Sequence, residues 1–462
     1  MLIIKQAGRR SARRLRRVVD VRPGETKALA WAWLYVFALF LAYYVMRPIR
    51  DELGVAGGVR NLPWLFTGTL LAMLVVNPLF AWSVRRWTRE RFVAIAYRFF
   101  MLHLLVFAAL LWSANPALQV WVGRAFFIWV SVFNLFVVSV FWSVVVDTFT
   151  AAQGKRLFGV VSAGATLGGA AGAAITSGLV EGLGQHGLLL VPVVLLEVAL
   201  FAARRLSRLS GRTVASGQPR RPLTNASLDG GVLAGISHTV RSPYLLAIAA
   251  FVALPTSLAT LLYFLQATVA ATHFTNPAER TAFFASLDFW VNLCTFVLQM
   301  FVTGRLMRWL GVAALLCVLP LASMFGFAAI ASFPTLAVFV VVQVARRVSD
   351  FALTRPAREV LFTSVSPEDR YKAKNFIDTV VYRSGDQIGS WAHAGLMSLG
   401  LGMPGVAIVA APFAALWLAL AYWLGRRTER PGQPAPAAHA LALVRRESAS
   451  SVGRSRRDRG AG

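Results

Sequence analysis

Acidic residues and cysteines are both scarce in this chain of 462 residues. There are 20 Asp and Glu against 47 Lys and Arg, a formal net charge of +27, and the two cysteines are Cys294 and Cys317. Both cysteines lie inside apolar runs, so neither a disulfide framework nor a metal cluster is indicated. Charged residues of either sign make up only 15% of the chain, whereas 57% is hydrophobic. This composition excludes an ordinary soluble domain.

Recognisable catalytic motifs are also lacking. Gly154-Lys155 is followed by Arg156 and not by Ser or Thr, and no strand or earlier glycine stands where a phosphate-binding loop needs it. The sequence shows no arrangement of nucleophile, base and orienting group, and no ligand spacing typical of zinc. We therefore expect no enzyme, no cofactor and no bound metal.

Long apolar runs are what the chain has in abundance. With a mean hydropathy of +0.61, the sequence contains twelve hydrophobic segments near or above membrane-spanning length. They lie at about 28–47, 63–83, 92–113, 120–148, 157–180, 186–203, 244–270, 281–303, 311–331, 335–360, 374–396 and 404–424. The pattern predicts an all-α polytopic membrane protein with 12 transmembrane helices.

Basic residues concentrate in alternate connections between these segments. The connections after even-numbered segments contain Arg85, Arg86, Lys155, Arg156 and the Arg-rich stretch 204–241, whereas most of the others are nearly free of Lys and Arg. The positive-inside rule then places both termini in the cytoplasm. The excess of positive charge is explained by topology and anionic lipid, so nucleic-acid binding is not expected.

The longest internal connection divides the segments into two halves of six. We predict a basic cytoplasmic arm (1–27), a six-helix bundle (28–203), a cytoplasmic linker (204–243), a second six-helix bundle (244–425) and a disordered basic tail (426–462). FAWSVRRWTRERF and FVTGRLMRWLGV occupy equivalent places in the two halves. Such an internal repeat is typical of transporters built from two parallel halves.

Charged residues recur at helical spacing in two of the last three segments. Arg346, Asp350, Thr354 and Arg358 are four residues apart, as are Asp378, Tyr382 and Asp386. Residues at this spacing share one helix face, and a charge at membrane depth costs roughly 2.5–3.5 kcal/mol unless it faces a wet or protein interior. The spacing predicts a polar pathway through the membrane, and the alternative is a solvated helix end.

One short motif occurs twice, as Arg47-Pro48-Ile49-Arg50-Asp51-Glu52 and as Arg355-Pro356-Ala357-Arg358-Glu359. Proline ends or kinks a helix, and the flanking guanidinium groups can bind carboxylates or phosphates bidentately. We interpret the two copies as ion-paired gates, or anion-attracting vestibules, near opposite mouths of a central cavity. The alternative is helix termination with locally paired charges.

Small and polar residues elsewhere suggest packing and weaker candidate sites. Gly164, Gly168 and Gly172 form a small-residue face that allows close helix packing. Asp147, at the inner end of the fourth segment, is either a proton carrier or an interfacial partner of Arg156. Asp288 and Asn292 share a face of the eighth segment but stay outside the main set of candidates.

Four stretches of the chain, YYVMRPIRDELG, DTFTAAQGKRLFG, RPAREVLFTSV and RYKAKNFIDTVVYRSGDQ, resemble the bacterial branch of the ATP:ADP antiporter family within the major facilitator superfamily. The resemblance spans roughly residues 39–389. It implies two six-helix halves, alternating access, a bacterial cytoplasmic membrane and a nucleotide or other phosphorylated or organic anion as cargo.

We therefore expect a secondary transporter that exchanges a small anion, with ATP and ADP as candidates, and that works as a monomer in the lipid bilayer. The candidate substrate-binding or gating residues are Arg47, Arg50, Asp51, Glu52, Asp147, Arg346, Arg347, Asp350, Arg355, Arg358, Glu359, Lys374, Asn375, Asp378, Arg383 and Asp386. Two alternatives stay open. The first is a proton-coupled symporter or exporter of an unrelated molecule that uses one of these aspartates, and the second is a non-transporting scaffold with the same fold.

Overall fold

A computed structural model describes residues 21–22, 24–113, 115–213, 239–240, 242–362, 365, 373–374 and 376–429. Most of the predicted N-terminal arm, most of the linker and most of the tail lie outside these residues, as does Asn375.

Helices account for nearly all of the described chain. The first six are α1 (Thr26–Ala56), α2 (Leu62–Arg86), α3 (Arg89–Ser113), α4 (Pro116–Thr148), α5 (Ala151–Leu188) and α6 (Leu190–Thr213). The next three are α7 (Pro243–His273), α8 (Pro277–Phe301) and α9 (Thr303–Ser332). We call α1–α6 the first helix group.

The last three helices complete the second helix group, α7–α12. The tenth, α10, consists of Leu336–Ser349, a π-helical turn Asp350–Thr354 and Arg355–Leu361. The eleventh, α11, consists of a π-helical turn Ile377–Val381 and Tyr382–Ser398, and α12 is Met403–Glu429. Nine helices of the described residues are long and apolar enough to cross a membrane, which confirms the expected all-α polytopic membrane architecture.

The predicted end of the first segment at residue 47 is wrong. Helix α1 passes through Pro48 and continues to Ala56, so Arg47, Arg50, Asp51 and Glu52 lie within the helix and not in a connection. A proline inside a membrane helix is tolerated where neighbouring helices cover the freed backbone groups. The side chain of Pro48 is itself buried, and the acids that follow it have partners on other helices.

Because of the π-helical turns, residues four apart do not share one helix face throughout, although the sequence spacing predicted that they would. A π-helix closes its hydrogen bonds between residues five apart, so each turn inserts extra rotation. Asp350 and Thr354, and likewise Asp378 and Tyr382, therefore do not continue one regular α-helical stripe. Residues five apart instead become neighbours, and Arg355 Nε donates to Asp350 Oδ2 at 3.1 Å.

The small-residue face of α5 packs directly on α1. A Cβ atom on Gly168 would lie 2.4 Å from the carbonyl oxygen of Phe37, and one on Gly172 would lie 2.4 Å from that of Leu41. Only glycine fits at these two positions, because any side chain would push the two backbones apart. The predicted close packing of the fifth helix is confirmed.

Buried apolar side chains form two large clusters and a small one. One large cluster runs from Leu29 to Leu206 in the first group, and the other runs from Leu245 to Leu424 in the second. The small cluster joins the groups through Val55, Leu62, Leu65, Phe127, Phe264, Ala267, Ala270 and Phe284. We call the side that holds Thr26 and Glu429 the terminal side and the opposite side, where this small cluster lies, the far side.

A polar junction ties the start of α1 to the start of α5 on the terminal side. Arg156 donates to Glu25 Oε1 at 2.8 Å, and Gln153 Nε2 donates to the same oxygen at 3.0 Å. Thr150 caps α5 through a reciprocal capping box with Gln153. Partial burial alone would raise the pKa of Glu25, but the hydrogen bond from Arg156 and the other donors lower it below its usual value.

This lowered pKa predicts a pH-dependent junction. A carboxyl whose pKa falls on folding contributes stability above its unfolded pKa and loses it as the pH falls through the folded pKa. We expect the wild-type protein to unfold at a higher temperature than Glu25→Gln at neutral pH, and the difference to shrink as the pH falls below about 4. Detergent-based thermal unfolding of both proteins from pH 7 to pH 3.5 measures this. A difference that persists unchanged at the acid end would contradict the ion pair.

Candidate anion site between the two helix groups

Acids at the far end of α1 have partners on three other helices. Arg50 Nη2 lies 2.6 Å from Asp51 Oδ1, and the hydroxyl of Tyr263 on α7 donates to the same oxygen at 3.0 Å. Because Asp51 is only 1% exposed, this pairing compensates a carboxylate that has lost its water. It also joins the first group to the second.

Glu52 forms the second of these connections. Arg280 Nη2 on α8 lies 2.9 Å from Glu52 Oε1, and Gln185 Nε2 on α5 donates to Oε2 at 2.5 Å. Gln185 also donates to the hydroxyl of Thr281 at 3.1 Å. The first copy of the repeated motif is therefore part of a buried cross-group network at the far side.

Further contacts at the same side join α2 to α11. The hydroxyl of Thr67 donates to Gln387 Oε1 at 3.0 Å, Trp391 Nε1 donates to Thr67 at 3.2 Å, and the rings of Trp64 and Trp391 meet edge to face at 4.9 Å. Together with the small apolar cluster, these contacts close the far side of the protein.

Asp288 on α8 is the acid that lies between the two helix groups. It stayed outside the main candidates of the sequence analysis. Arg347 Nη2 on α10 lies 2.7 Å from Asp288 Oδ1 in an ion pair, and Arg47 on α1 donates to the same oxygen. Oδ2 of Asp288 is buried without a hydrogen-bond partner. One carboxylate oxygen thus serves two guanidinium groups from different helix groups. The available signal was a single acid in the middle of an apolar helix, which is costly unless it has a function.

Arg346 is the second notable residue of this site. It is 7% exposed, its Nε has no hydrogen-bond partner, and no carboxylate of the described residues lies within ion-pair distance of it. It directly precedes Arg347 in α10, so two buried guanidinium groups follow one another in the chain, and Arg47 is the third arginine of the site. A buried surplus of positive charge is costly unless a counter-anion is bound.

We call Arg47, Arg346 and Arg347 the arginine cluster. Its aromatic and acidic neighbours complete the site. Arg47 lies over the ring of Tyr44 at 5.8 Å and Arg347 over that of Phe351 at 6.0 Å. Asp350 is paired with Arg355, Nη2 to Oδ2 at 3.1 Å, and its charge also acts on Arg346 from beyond ion-pair distance. π-Helical turns are frequent at functional sites, and the one in α10 begins at Asp350.

On α11 the predicted residues form a separate pair. Arg383 Nη1 lies 3.1 Å from Asp386 Oδ2, and Thr260 on α7 donates to Asp386 Oδ1 at 3.2 Å. Gly385 and Gly389 bring α11 close to α7, since a Cβ on Gly389 would lie 2.4 Å from the carbonyl oxygen of Ser257. Asp386 is therefore held against α7, within the second group.

The second copy of the repeated motif lies nearer the terminal side and is paired within the second group. Arg358 Nη2 on α10 lies 3.3 Å from Asp378 Oδ1 on α11, and Lys374 pairs with Glu359 at 2.5 Å. Asp147, by contrast, is exposed at the end of α4 in the first group, and the position of Asn375 lies outside the described residues.

A small, half-open pocket within the first group contains none of the predicted site residues. It lies between α2 and α4 and is lined by Met73, Val76, Asn77, Val132, Leu135, Phe136 and Ser139. Its lining is mainly apolar and offers no charged group, whereas the arginine cluster between the groups does. We therefore place the candidate site at the arginines.

Comparison with known proteins supports this architecture at the level of the fold. No family model matches the sequence, and no curated protein matches it. A bacterial homologue of the iron transporter ferroportin in an inward-facing state superimposes with a TM-score of 0.62 at 12% identity, covering 88% of this chain and 99% of that one. The nucleoside transporter NupG gives a TM-score of 0.57 at 13% identity, covering 88% of this chain and 100% of that one.

A third similar structure is the human organic anion transporter MFSD10, with a TM-score of 0.54 at 13% identity, covering 87% of this chain and all of that one. These structures share one architecture although the proteins are named for different cargoes. The protein is an all-α polytopic membrane protein with the fold of the major facilitator type.

Proposed function

We propose that this protein is a secondary transporter that exchanges an organic or phosphorylated anion, with nucleotides as the first cargo to test. The fold supports a carrier that works by alternating access, because proteins with this architecture move small molecules between two helix groups. Fold alone does not define the cargo, so the cargo class is argued from the site.

The observation that carries the proposal is the surplus of buried guanidinium groups. Arg47 and Arg347 converge from both helix groups on Asp288, and Arg346, buried next to Arg347 in α10, has no ion pair among the described residues. Guanidinium groups bind carboxylates and phosphates bidentately, and they retain their charge at every physiological pH. An anion bound here would supply the charge that the protein itself does not.

The closed far side corresponds to one of the two states that alternating access requires. We propose that the terminal side faces the cytoplasm, as the distribution of basic residues predicts, and that this state is inward-facing in a bacterial cytoplasmic membrane. The paired charges at Arg358 and Asp378, and at Lys374 and Glu359, would then lie towards the cytoplasmic entrance.

The direct test is uptake of labelled ATP into proteoliposomes preloaded with ADP, beside empty and phosphate-loaded vesicles. We expect uptake that requires internal nucleotide and persists when an ionophore collapses the proton gradient. Uptake that disappears with the gradient would instead support proton coupling through Asp147, Asp350, Asp378 or Asp386. If the folded protein takes up no anion, the carrier proposal is wrong, and the alternative of a non-transporting scaffold remains.

A further inference from the structure

We infer that Asp288 is a built-in counter-anion that holds the two helix groups together in the empty protein and that the cargo anion displaces. This inference rests on the proposed function and assigns to Asp288 the coupling between cargo binding and rearrangement of the groups. Arg47 belongs to the first group, whereas Asp288 and Arg347 belong to the second, so the shared carboxylate links the groups through Arg47.

The hydrogen bonding of Asp288 is that of an incompletely satisfied acceptor. Both arginines are paired with Oδ1, whereas Oδ2 is buried and receives no donor from the described residues. Asn292, one turn later, donates to the backbone oxygen of Asp288 at 2.8 Å and not to its carboxylate. A carboxylate normally spreads its donors over two oxygens, so an incoming anion with more acceptor oxygens competes well for the same arginines.

In the closed state, contacts with α5 of the first group flank Asp288 along α8, so its backbone is fixed there and the mobile partners are the arginines. Gly169 on α5 packs against Asn292, because a Cβ atom on Gly169 would lie 2.7 Å from Oδ1 of Asn292. The hydroxyls of Ser177 and Ser286 are 3.2 Å apart on the other side of Asp288 along α8. Helix α8 therefore presents a fixed carboxylate, and a long guanidinium side chain can transfer from it to a cargo without movement of the helix.

The excess of positive charge at the site favours replacement of Asp288 by the cargo anion. One carboxylate cannot neutralise both Arg47 and Arg347, and Arg346, which has no ion pair among the described residues, adds to a surplus that attracts an anion into the site. Once the anion binds Arg47, the link from α1 to Asp288 is broken, and the far side is held only by its remaining contacts. Cargo binding would thus permit the groups to separate there, whereas the empty protein stays closed, as exchange requires.

The test is cross-linking at the far side in a background with Cys294→Ser and Cys317→Ser. Trp64→Cys and Trp391→Cys replace two rings whose centroids are 4.9 Å apart on opposite groups, and a short thiol-reactive cross-linker reports the closed state. We expect efficient cross-linking without ligand, a loss of at least about half with saturating ATP, and the same loss in Asp288→Asn without any ligand. Glu181→Gln, which removes an exposed acid, serves as the control and should cross-link like the parent.

Binding of ATP provides the second readout, by quenching of tryptophan fluorescence in chains that retain Trp64 and Trp391. Asp288→Asn should bind ATP on the order of tenfold more tightly, because the internal competitor is gone, whereas Asp288→Glu should approach the wild-type affinity. If Asp288→Asn does not fold, Arg47→Gln removes the same link while leaving Asp288 with Arg347, and it should lose the cross-link equally.

Unchanged cross-linking in the ligand-free folded variant would overturn the inference. So would an equal response of the parent and of Asp288→Asn to ATP, because displacement then would not involve Asp288. If neither ATP, pyrophosphate nor phosphate binds the wild type, the displacement is overturned together with the anion cargo. If cross-linking still depends on Asp288 in that case, Asp288 holds the two helix groups together but is not displaced by an anion.

Discussion

Arg346→Gln is expected to lower anion exchange by about 100-fold, while the folded protein becomes no less stable. Truncating a buried charged contact to a ligand costs about 2–5 kcal/mol, and each 1.4 kcal/mol is a factor of ten. The side chain is buried with no ion-pair partner in the described residues, so its removal deletes no internal ion pair and relieves the desolvation of a charge. Activity and stability should therefore separate.

Initial rates of labelled ATP uptake into ADP-loaded vesicles and thermal unfolding in detergent measure the two effects. Arg305→Gln is the matched control, since Arg305 is exposed near the start of α9 and away from the arginine cluster. A scaffold without transport activity predicts that Arg346→Gln damages folding only. Unaltered exchange in this variant would show that Arg346 does not contact the cargo.

Gly172→Val is expected to prevent α1 and α5 from packing and to destabilise the protein by at least about 3 kcal/mol, the upper range for overpacked cores. The new Cβ would lie 2.4 Å from the carbonyl oxygen of Leu41 and 3.1 Å from the Cβ of Tyr44. The first contact is with backbone, so no side-chain rotation relieves it. Helix α1 would have to move, and with it Arg47 and Arg50.

The yield of monodisperse protein and its unfolding temperature test this effect. Gly178→Val is the matched control, because a Cβ on this exposed glycine of the same helix meets nothing within 4 Å. Nearly normal stability of Gly172→Val would mean that the close approach of α1 and α5 is not needed for the fold. Equal losses in both variants would point to β-branching itself as the cause.

Much of the architecture could be read from the sequence because it depends on local composition. Apolar length predicts the helices, and the glycines at 164, 168 and 172 predict a face for close packing. The predicted end of α1 was wrong because proline and charges usually mark a helix end, whereas here Asp51 and Glu52 have partners on other helices. Those partners are more than 200 residues away and leave no local signal.

The candidate site was predicted only in part for the same reason. Arginines within apolar helices could be recognised individually, and the structure brings Arg47, Arg346 and Arg347 into one region. Which charges are paired was not predictable. Arg358 pairs with Asp378, and Arg355 pairs with Asp350 across a π-helical turn that the four-residue spacing did not anticipate.

The sequence by itself determined that this chain is an all-helical membrane protein rich in intramembrane arginine, because hydrophobic length and charge are local properties of a segment. Only the tertiary structure decided that Asp288 joins two helix groups, that Arg346 has no ion pair within the described part of the chain and that the far side is closed. Electrostatic pairing depends on distance in space, and helices distant in the sequence are brought together only when the whole bundle packs.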